Sequence, residues 1–316
     1  MVTLIIVDYK TIDKTIRYLK EFRQKLIEKD ILHVVLVDNA EEGEKNLSLL
    51  EKLTGNKPVP AKADIGGKAV YKGNLEGWEY LYAAAWENLG YARGNNLGAA
   101  AAKHFYPEDS FYLFSNNDLR LPEDFSMEVL LSPMKKYEDV AVVGPKLVGT
   151  DGLPQTPWKK TGAGKQLFLT YFDLLLPKFC KITGLITNLD IGKQDESRRV
   201  YWVSGAFFLV KADAFRKANG FDEHTFLYGE EMIFAERLQR IHKCMYYERQ
   251  IVVVHEHGQT VKKAWKVLQG ISFGFTSCLY YFREYRSLPY IVGWLARLHF
   301  GIFRFLFSLK KKLKGE

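Results

Sequence analysis

The chain opens on an apolar, β-branched run from Val2 to Val7, ending at Asp8, and a charged amphipathic stretch then predicts a helix over roughly 11–29. A second β-rich run, His33 to Val37, ends at Asp38 and Asn39. Further strands are predicted near Tyr80–Tyr82, Phe111–Phe114, Val140–Val143, Ala206–Val210 and Ile251–Val254, with helices at about 95–105, 123–137, 211–218 and 230–242. Short apolar runs bounded by helices predict buried parallel strands in βαβ units, hence an α/β fold. Sheets of this kind collect ligands at the carboxyl ends of their strands, so the polar residues just after each strand are the candidates for chemistry. Residues 151–200 break the rhythm with Gly152, Pro154, Pro157, Gly162 and Gly164, then an aromatic and aliphatic stretch from Leu167 to Phe179. That segment reads as an insertion over the site, a lid or acceptor platform; the alternative is a surface excursion without a role in binding.

Length and composition suit one large α/β domain with an appendage: 316 residues, 47% hydrophobic and 26% charged. The formal charge is +8. Residues 283–316 hold eight Lys or Arg against two Glu, a net +6, which leaves the body with only +2. A nearly neutral body with a basic tail argues against nucleic acid and for a local acidic partner. Cys180, Cys244 and Cys278 are widely spaced and form no C-x-x-C pattern, as expected of buried thiols in a reducing compartment. Met1 leads straight into the first strand with no secretory signal visible, so a cytoplasmic catalytic domain is expected.

Three clusters could carry chemistry. The strand Phe111–Phe114 runs into Ser115, Asn116, Asn117 and Asp118. Asp118 is placed to hold a hard divalent cation against a diphosphate, although such a cluster also makes an ordinary turn. Trp202-Val203-Ser204-Gly205-Ala206 and Gly220-Phe221-Asp222-Glu223 precede Glu230 and Glu231, which fall in the first turn of a helix. The helix dipole favours carboxylates there, and either acid could serve as a general base for a sugar hydroxyl. Finally, if the strand Ile251–Val254 continues, His255 and His257 share one face and could complete a metal site.

Together these pieces resemble family 2 glycosyltransferases of the GT-A fold, in particular the bacterial rhamnosyltransferase-like branch. The resemblance covers about residues 2–262 and rests on six ordered matches. Val37-Asp38-Asn39 is similar to the family's V-D-N turn, and Asn88 to Gly98 to its N-x-G-[FY]-A-x-G-N-N-x-G segment. Asn116-Asn117-Asp118 stands in place of its D-x-D motif. Trp202–Ala206 and Gly220–Glu231 resemble its W-x-S-G-A and G-F-D-E-x-F-[FL]-Y-x-E-[DE] blocks, and Val254–Thr260 its late V-H-x-x-G-x-[ST] stretch. The chain departs from the pattern in three places: Asp8 and Lys10 flank Tyr9 where the family has Thr-Tyr-Asn, the metal motif begins with Asn, and the base position holds a Glu.

The resemblance implies a GT-A catalytic domain over 1–262, a Rossmann-like, mostly parallel sheet flanked by helices, with a helical tail over 263–316. It implies donor contacts from Tyr9, Asp38, Arg93, Asn96, Asn116 and Asn117. Asp118 with His255 or His257 would bind Mg²⁺ or Mn²⁺, Glu231 or Glu230 would be the base, and Trp202, Ser204 and Gly205 would meet the acceptor. The implied reaction is inverting transfer of a sugar, rhamnose from dTDP-rhamnose or a hexose from UDP, to a lipid-linked or polysaccharide acceptor in bacterial cell-surface glycan synthesis. A nucleotidyltransferase is a competing reading, but Val7-Asp8-Tyr9-Lys10 lacks the Gly-rich, basic phosphate loop expected of one. A non-catalytic carbohydrate-binding relative is another, and fold alone does not separate it.

The tail from Leu288 to Leu309 is rich in aromatic and aliphatic residues but interrupted by Arg297, His299 and Arg304, a poor pattern for a spanning helix. Arg283, Arg297, Arg304 and Lys311 are seven or fourteen residues apart, near one helical stripe, with Trp294, Leu298, Phe305 and Leu309 elsewhere. That suits a helix lying in the interface of an anionic membrane, peripheral at the inner face. The alternative is a helix packed on the catalytic domain or on a partner in a homodimer.

Overall fold

Val2–Asp8 forms a strand (β1) because a buried run of branched residues leaves the extended backbone as the conformation that packs on both faces. In this computed structural model, which describes residues 1–160, 162–165, 189–190, 194–256 and 267–313, β1 lies within an eleven-stranded sheet. The other strands are β2 (Leu32–Asp38), β3 (Val59–Ile65), β4 (Lys68–Leu75), β5 (Trp78–Ala84), β6 (Phe111–Ser115), β7 (Leu119–Arg120), β8 (Val140–Gly149), β9 (Arg198–Val200), β10 (Phe207–Lys211) and β11 (Cys244–His255). Their order is β3-β4-β5-β2-β1-β6-β10-β8-β11-β7, with β9 paired to β11. In the central run from β5 to β11, only β10 points against the rest.

The helices are α1 (Ile12–Lys25), α2 (Gly43–Thr54), α3 (Gly90–Phe105), α4 (Met127–Lys136), α5 (Ala212–Lys217), α6 (Glu230–Arg240), α7 (Val267–Tyr285) and α8 (Tyr290–Leu313). One core gathers alternate strand residues such as Leu4, Ile6, Leu36 and Leu113 against Ile16, Leu19 and Phe22 of α1. The opposite face gathers Ile5, Val35, Val37 and Phe114 against α3, α5 and α6. Close approach of α3 depends on small residues: a Cβ on Gly98 would stand 2.4 Å from Ile5 Cγ2.

Boundaries differ from the sequence reading where distant segments intervene. The first helix stops at Lys25 because Leu26 turns extended and bridges Phe125. The helix expected over 123–137 begins only at Met127, whose N–H donates to the Glu28 carboxylate at 2.9 Å. β11 starts seven residues before Ile251, its polar Arg249 and Gln250 lying in an irregularity between Glu248 and Val252. The stretch Leu167–Phe179, Cys180 and His257 lie outside the described residues.

The tail forms two helices, not one stripe. A break at Ser287 (φ 51°) and Pro289 separates Arg283 from Arg297 and Arg304, and the Arg283 guanidinium lies 4.8 Å from the Tyr290 ring centroid. α7 packs on α6 through Met232, Ile233, Phe275, Leu279 and Phe282. A buried acid, Asp222, and a half-buried one, Glu236, fasten the contact. Asp222 accepts hydrogen bonds from Tyr280 (3.0 Å) and Tyr285 (2.5 Å) and pairs with Arg237 at 2.9 Å. Burial works against its ionisation, but the Tyr285 and His224 hydrogen bonds and the Arg237 charge hold its pKa down at about 2. Glu236 accepts from Tyr201 and lies 3.6 Å from Arg286 Nε, while Arg286 donates to Tyr281 at 2.6 Å.

Candidate active site

The apolar pattern of β6 ends at Ser115, and the chain turns through Asn116 and Asn117 so that Asp118 leads into β7. β7 pairs antiparallel with the end of β11, His255 opposite Leu119, and this register sets His255 beside Asp118. His255 Nε2 lies 3.3 Å from Asp118 Oδ1, and the other ring nitrogen meets Gln155 Oε1 at 2.7 Å. Since Oε1 only accepts, Nδ1 carries a proton, while Nε2 faces the carboxylate, donating to it from a protonated ring and free to bind a cation once that proton is lost. Burial raises the Asp118 pKa, but the His255 hydrogen bond and charge, with the charge of Lys14, outweigh it and hold the carboxyl below its ordinary value. An ionised carboxylate beside an imidazole nitrogen, both buried, is a donor pair that fits a divalent cation whose remaining ligands are phosphate oxygens and water. Among the described residues no set of three or more His, Cys, Asp or Glu forms a complete metal cage.

The acid pair stands at the start of α6, after Gly229 in the left-handed region (φ 89°). Glu231 Oε1 accepts the Gly205 N–H at 2.9 Å, and the Gly205 carbonyl accepts from the Tyr91 hydroxyl at 2.7 Å. A side chain at Gly205 would displace the base: a Cβ would lie 2.5 Å from Glu231 Oε1 and 2.9 Å from the Tyr91 oxygen. Burial pushes the Glu231 pKa up, moderated by backbone hydrogen bonds, which suits a proton acceptor. Glu230 is more deeply buried, and its Oε1 has no hydrogen-bond partner among the described residues. Burial and the neighbouring Glu231 push its pKa well up. Cys278 of α7 feels both acids; burial and their charges push its thiol up to about 12.

These two centres lie on one rim of the sheet. β10 runs against β6 with Phe207 opposite Ser115, so the residues that enter β10 sit beside those that leave β6. Asn116 N–H donates to the Ala206 carbonyl at 2.8 Å, one residue from the Gly205 that holds Glu231. A second path runs through the segment after β8, where Gln155 holds His255 and the adjacent Thr156 hydroxyl accepts the Ser204 N–H at 3.3 Å. Trp202 stacks on Trp158, centroids 4.6 Å apart and planes 7° from parallel. Asp118, His255, Trp202, Ser204, Gly205 and Glu231 therefore belong to one connected surface.

The residues expected to hold a donor divide. Tyr9 is half-buried just past β1, Arg93 is exposed on α3, and the Asn116 side-chain amide makes no hydrogen bond among the described residues. Three others turn inward. The Asn117 amide nitrogen lies 3.1 Å from Asp8 Oδ2, 2.9 Å from Thr11 Oγ1 and 2.6 Å from Thr15 Oγ1. Asp38 is fully buried, accepting from Ala40, Asn46 and Tyr82, and burial raises its pKa. Asn96 is committed to the Phe221 backbone and Glu223 at 3.0 Å. Each fixes a loop that the rim depends on, since buried polar groups take the partners that fold around them. Gln155, Thr156, Tyr91 and Lys14 escaped the sequence reading; only Tyr91, inside the Asn88–Gly98 segment, carried a signal.

No family model and no curated protein matches the chain. Among solved structures it is similar to the crystal structure of GalNAc-T7 with UDP, GalNAc and Mn²⁺, with a TM-score of 0.54 and 13% identity. The match covers 90% of this chain and 48% of that one, so this chain spans about half the length of its structural neighbour. At that identity the likeness is one of fold: a mixed α/β, GT-A architecture with a mostly parallel central sheet and a C-terminal apolar helix.

Proposed function

We propose that the chain is an inverting, metal-dependent glycosyltransferase of family 2 that moves a sugar from a nucleoside diphosphate to an acceptor hydroxyl. The observation that carries this reading is the presence, on one rim, of an ionised Asp118 paired with His255 and a half-buried Glu231 held by Gly205. The chemistry is a single displacement. The acceptor oxygen attacks the anomeric carbon from the Glu231 side, Glu231 takes the hydroxyl proton, and the bond to the diphosphate breaks on the opposite face. A divalent cation bound by Asp118 and His255 supplies charge neutralisation for the departing diphosphate. Gly205 and Tyr91 fix the Glu231 carboxylate, and Gln155 fixes the imidazole. Glu230, buried behind with an unpartnered oxygen, is the weaker choice of base.

The sequence resemblance favours rhamnose from dTDP-rhamnose, delivered to a lipid-linked saccharide or polysaccharide in bacterial surface-glycan assembly, with the protein peripheral at the inner face of the cell membrane. UDP-hexose is the second donor reading, favoured by the UDP and GalNAc bound in the structural neighbour. A panel of dTDP- and UDP-sugars, assayed for nucleoside diphosphate release with a lipid-linked acceptor extract, tests both. Release from a dTDP-deoxysugar alone supports the first reading and release from UDP-hexose the second. No release from any donor, with Mg²⁺ or Mn²⁺, rejects the activity.

A further inference from the structure

α8 has two faces that the sequence pattern alone could not separate. Phe300 is buried, stacking on Phe275 of α7 with centroids 4.0 Å apart, and a Cβ on Gly293 would stand 3.5 Å from Arg283 Cδ and 3.7 Å from Leu279 Cδ1. The helix is thus docked along its middle. The opposite face carries Ile291, Trp294, Leu298, Ile302, Phe305 and Leu309, which are 44–67% exposed. Their spacing of three and four residues confines them to an arc of about 80° at 100° per residue. Arg297 and Arg304, both exposed and seven residues apart, flank that arc on one side. Residues 290–309 are also long and apolar enough to cross a membrane by length and composition, with a mean hydropathy of 1.3 and only 11% of the most apolar window buried.

We propose that the outward face of α8 seats the protein flat on an anionic lipid bilayer, helix axis in the membrane plane. A spanning orientation conflicts with the docking: α7, fastened to the catalytic body through Asp222 and Glu236, occupies the middle of α8 and would be drawn into the hydrocarbon with it. Lipid is favoured over a second copy of the chain because a copy would bring only its own Arg297 and Arg304 to the seam. Anionic headgroups neutralise both cations while the acyl boundary takes the apolar arc. Seating then has a mechanical consequence. α7 joins α8 to α6, which carries Glu231, so the bilayer fixes the height of the base above the lipid surface. That consequence rests on the transferase reading; the seating itself does not.

The test uses the full chain with phosphatidylcholine vesicles, with and without phosphatidylglycerol. Trp294→Cys, Ile302→Cys and Leu309→Cys are each labelled with a nitroxide and compared with the unsubstituted protein labelled alike. Seating predicts co-sedimentation with the anionic vesicles and similar depths at all three labels, about 5–10 Å below the headgroups. The double variant Arg297→Gln/Arg304→Gln should partition on the order of 30-fold more weakly, from about 1 kcal/mol per cation. Labels at 294 and 309 differing in depth by about 22 Å would mean a spanning helix and overturn the proposal. So would absence of binding with immobile labels, in a dimer (a second copy covers the face) or in a monomer (the chain's own apolar stretch does). Nucleoside diphosphate release in lipid-free buffer is read on the same samples: its absence counts against the transferase and leaves the seating standing.

Discussion

On the proposed transferase reading, Gly205→Ala isolates the positioning of the base from the base itself. The added Cβ would stand 2.5 Å from Glu231 Oε1, 2.9 Å from the Tyr91 oxygen and 3.0 Å from Glu231 Cδ. A carbon and an oxygen come no closer than roughly 3.3 Å without strain, so the carboxylate must retreat by about 0.8 Å. That movement breaks the 2.9 Å bond from the Gly205 N–H. Loss of a hydrogen bond to a charged group costs about 1.5–3 kcal/mol, or roughly 10- to 100-fold, and a misplacement near 1 Å costs about 10²-fold in rate. The expected result is a kcat lower by about 10²-fold with donor KM within about twofold, because the donor side at Asp118 and His255 is untouched. Overpacking should also lower stability by about 1–3 kcal/mol. Initial-rate kinetics of nucleoside diphosphate release, with a thermal melt to show that the variant is folded, make the measurement. A folded variant with unchanged kcat would show that the Gly205–Glu231 contact does not aim the base, and the argument from this geometry would fail.

Glu231→Gln removes the proposed proton acceptor without changing its shape; turnover should fall by about 10²–10⁴-fold with donor affinity by calorimetry nearly unchanged. Its raised pKa also places the acid limb of the wild-type rate profile above the ordinary carboxylate value of 4.5, and a limb at or below that value would contradict the assignment. Asp118→Ala should abolish the enhancement of donor binding by Mn²⁺ or Mg²⁺, measured by titration with and without chelator; donor binding indifferent to chelator in the parent protein would remove the cation from the scheme. Glu230→Gln should raise the melting temperature. Burial lifts the folded-state pKa of Glu230 well above 4.5, so its stabilising contribution is complete below the unfolded value and lost as pH rises through the folded one. The gain should therefore be absent in acid and grow with pH, and a pH-independent difference between the melts would refute it.

The central strands were legible because β1, β2, β6 and β10 are buried on both faces and read as unbroken apolar runs. The hairpin of β3 and β4 was not, since Val59–Ile65 lies at the sheet edge, carries Lys62 and Asp64, and shows little apolar periodicity. Its signal was the turn: Gly66 and Gly67, both at positive φ, link Ile65 to Lys68, a two-residue connection that glycine pairs favour. The site followed the same division. Asp118, His255 and Glu231 stand at element ends, where a polar residue after an apolar run draws notice. Gln155 and Thr156 lie between two prolines in an irregular stretch, and only tertiary contacts give them their positions. The inward turn of Asn117 could not be foreseen either, because its partners Asp8, Thr11 and Thr15 come from the first strand and helix, a hundred residues earlier.

The reversal of β10 within the central run has a consequence for how such a protein can diversify. The chain leaves β8 at Gly149, adds β9 beside β11 at Arg198–Val200, and enters β10 at Phe207; the end of β8 and the start of β10 fall on the rim that holds Asp118 and Glu231. Between those points Gln155 holds His255, Gly205 holds Glu231, and β9 borders β11, so changes that spare these residues need not disturb a strand of the central run. On the proposed transferase reading, such changes would alter what the rim offers an acceptor while the hydrogen bonds to His255 and Glu231 stay as they are.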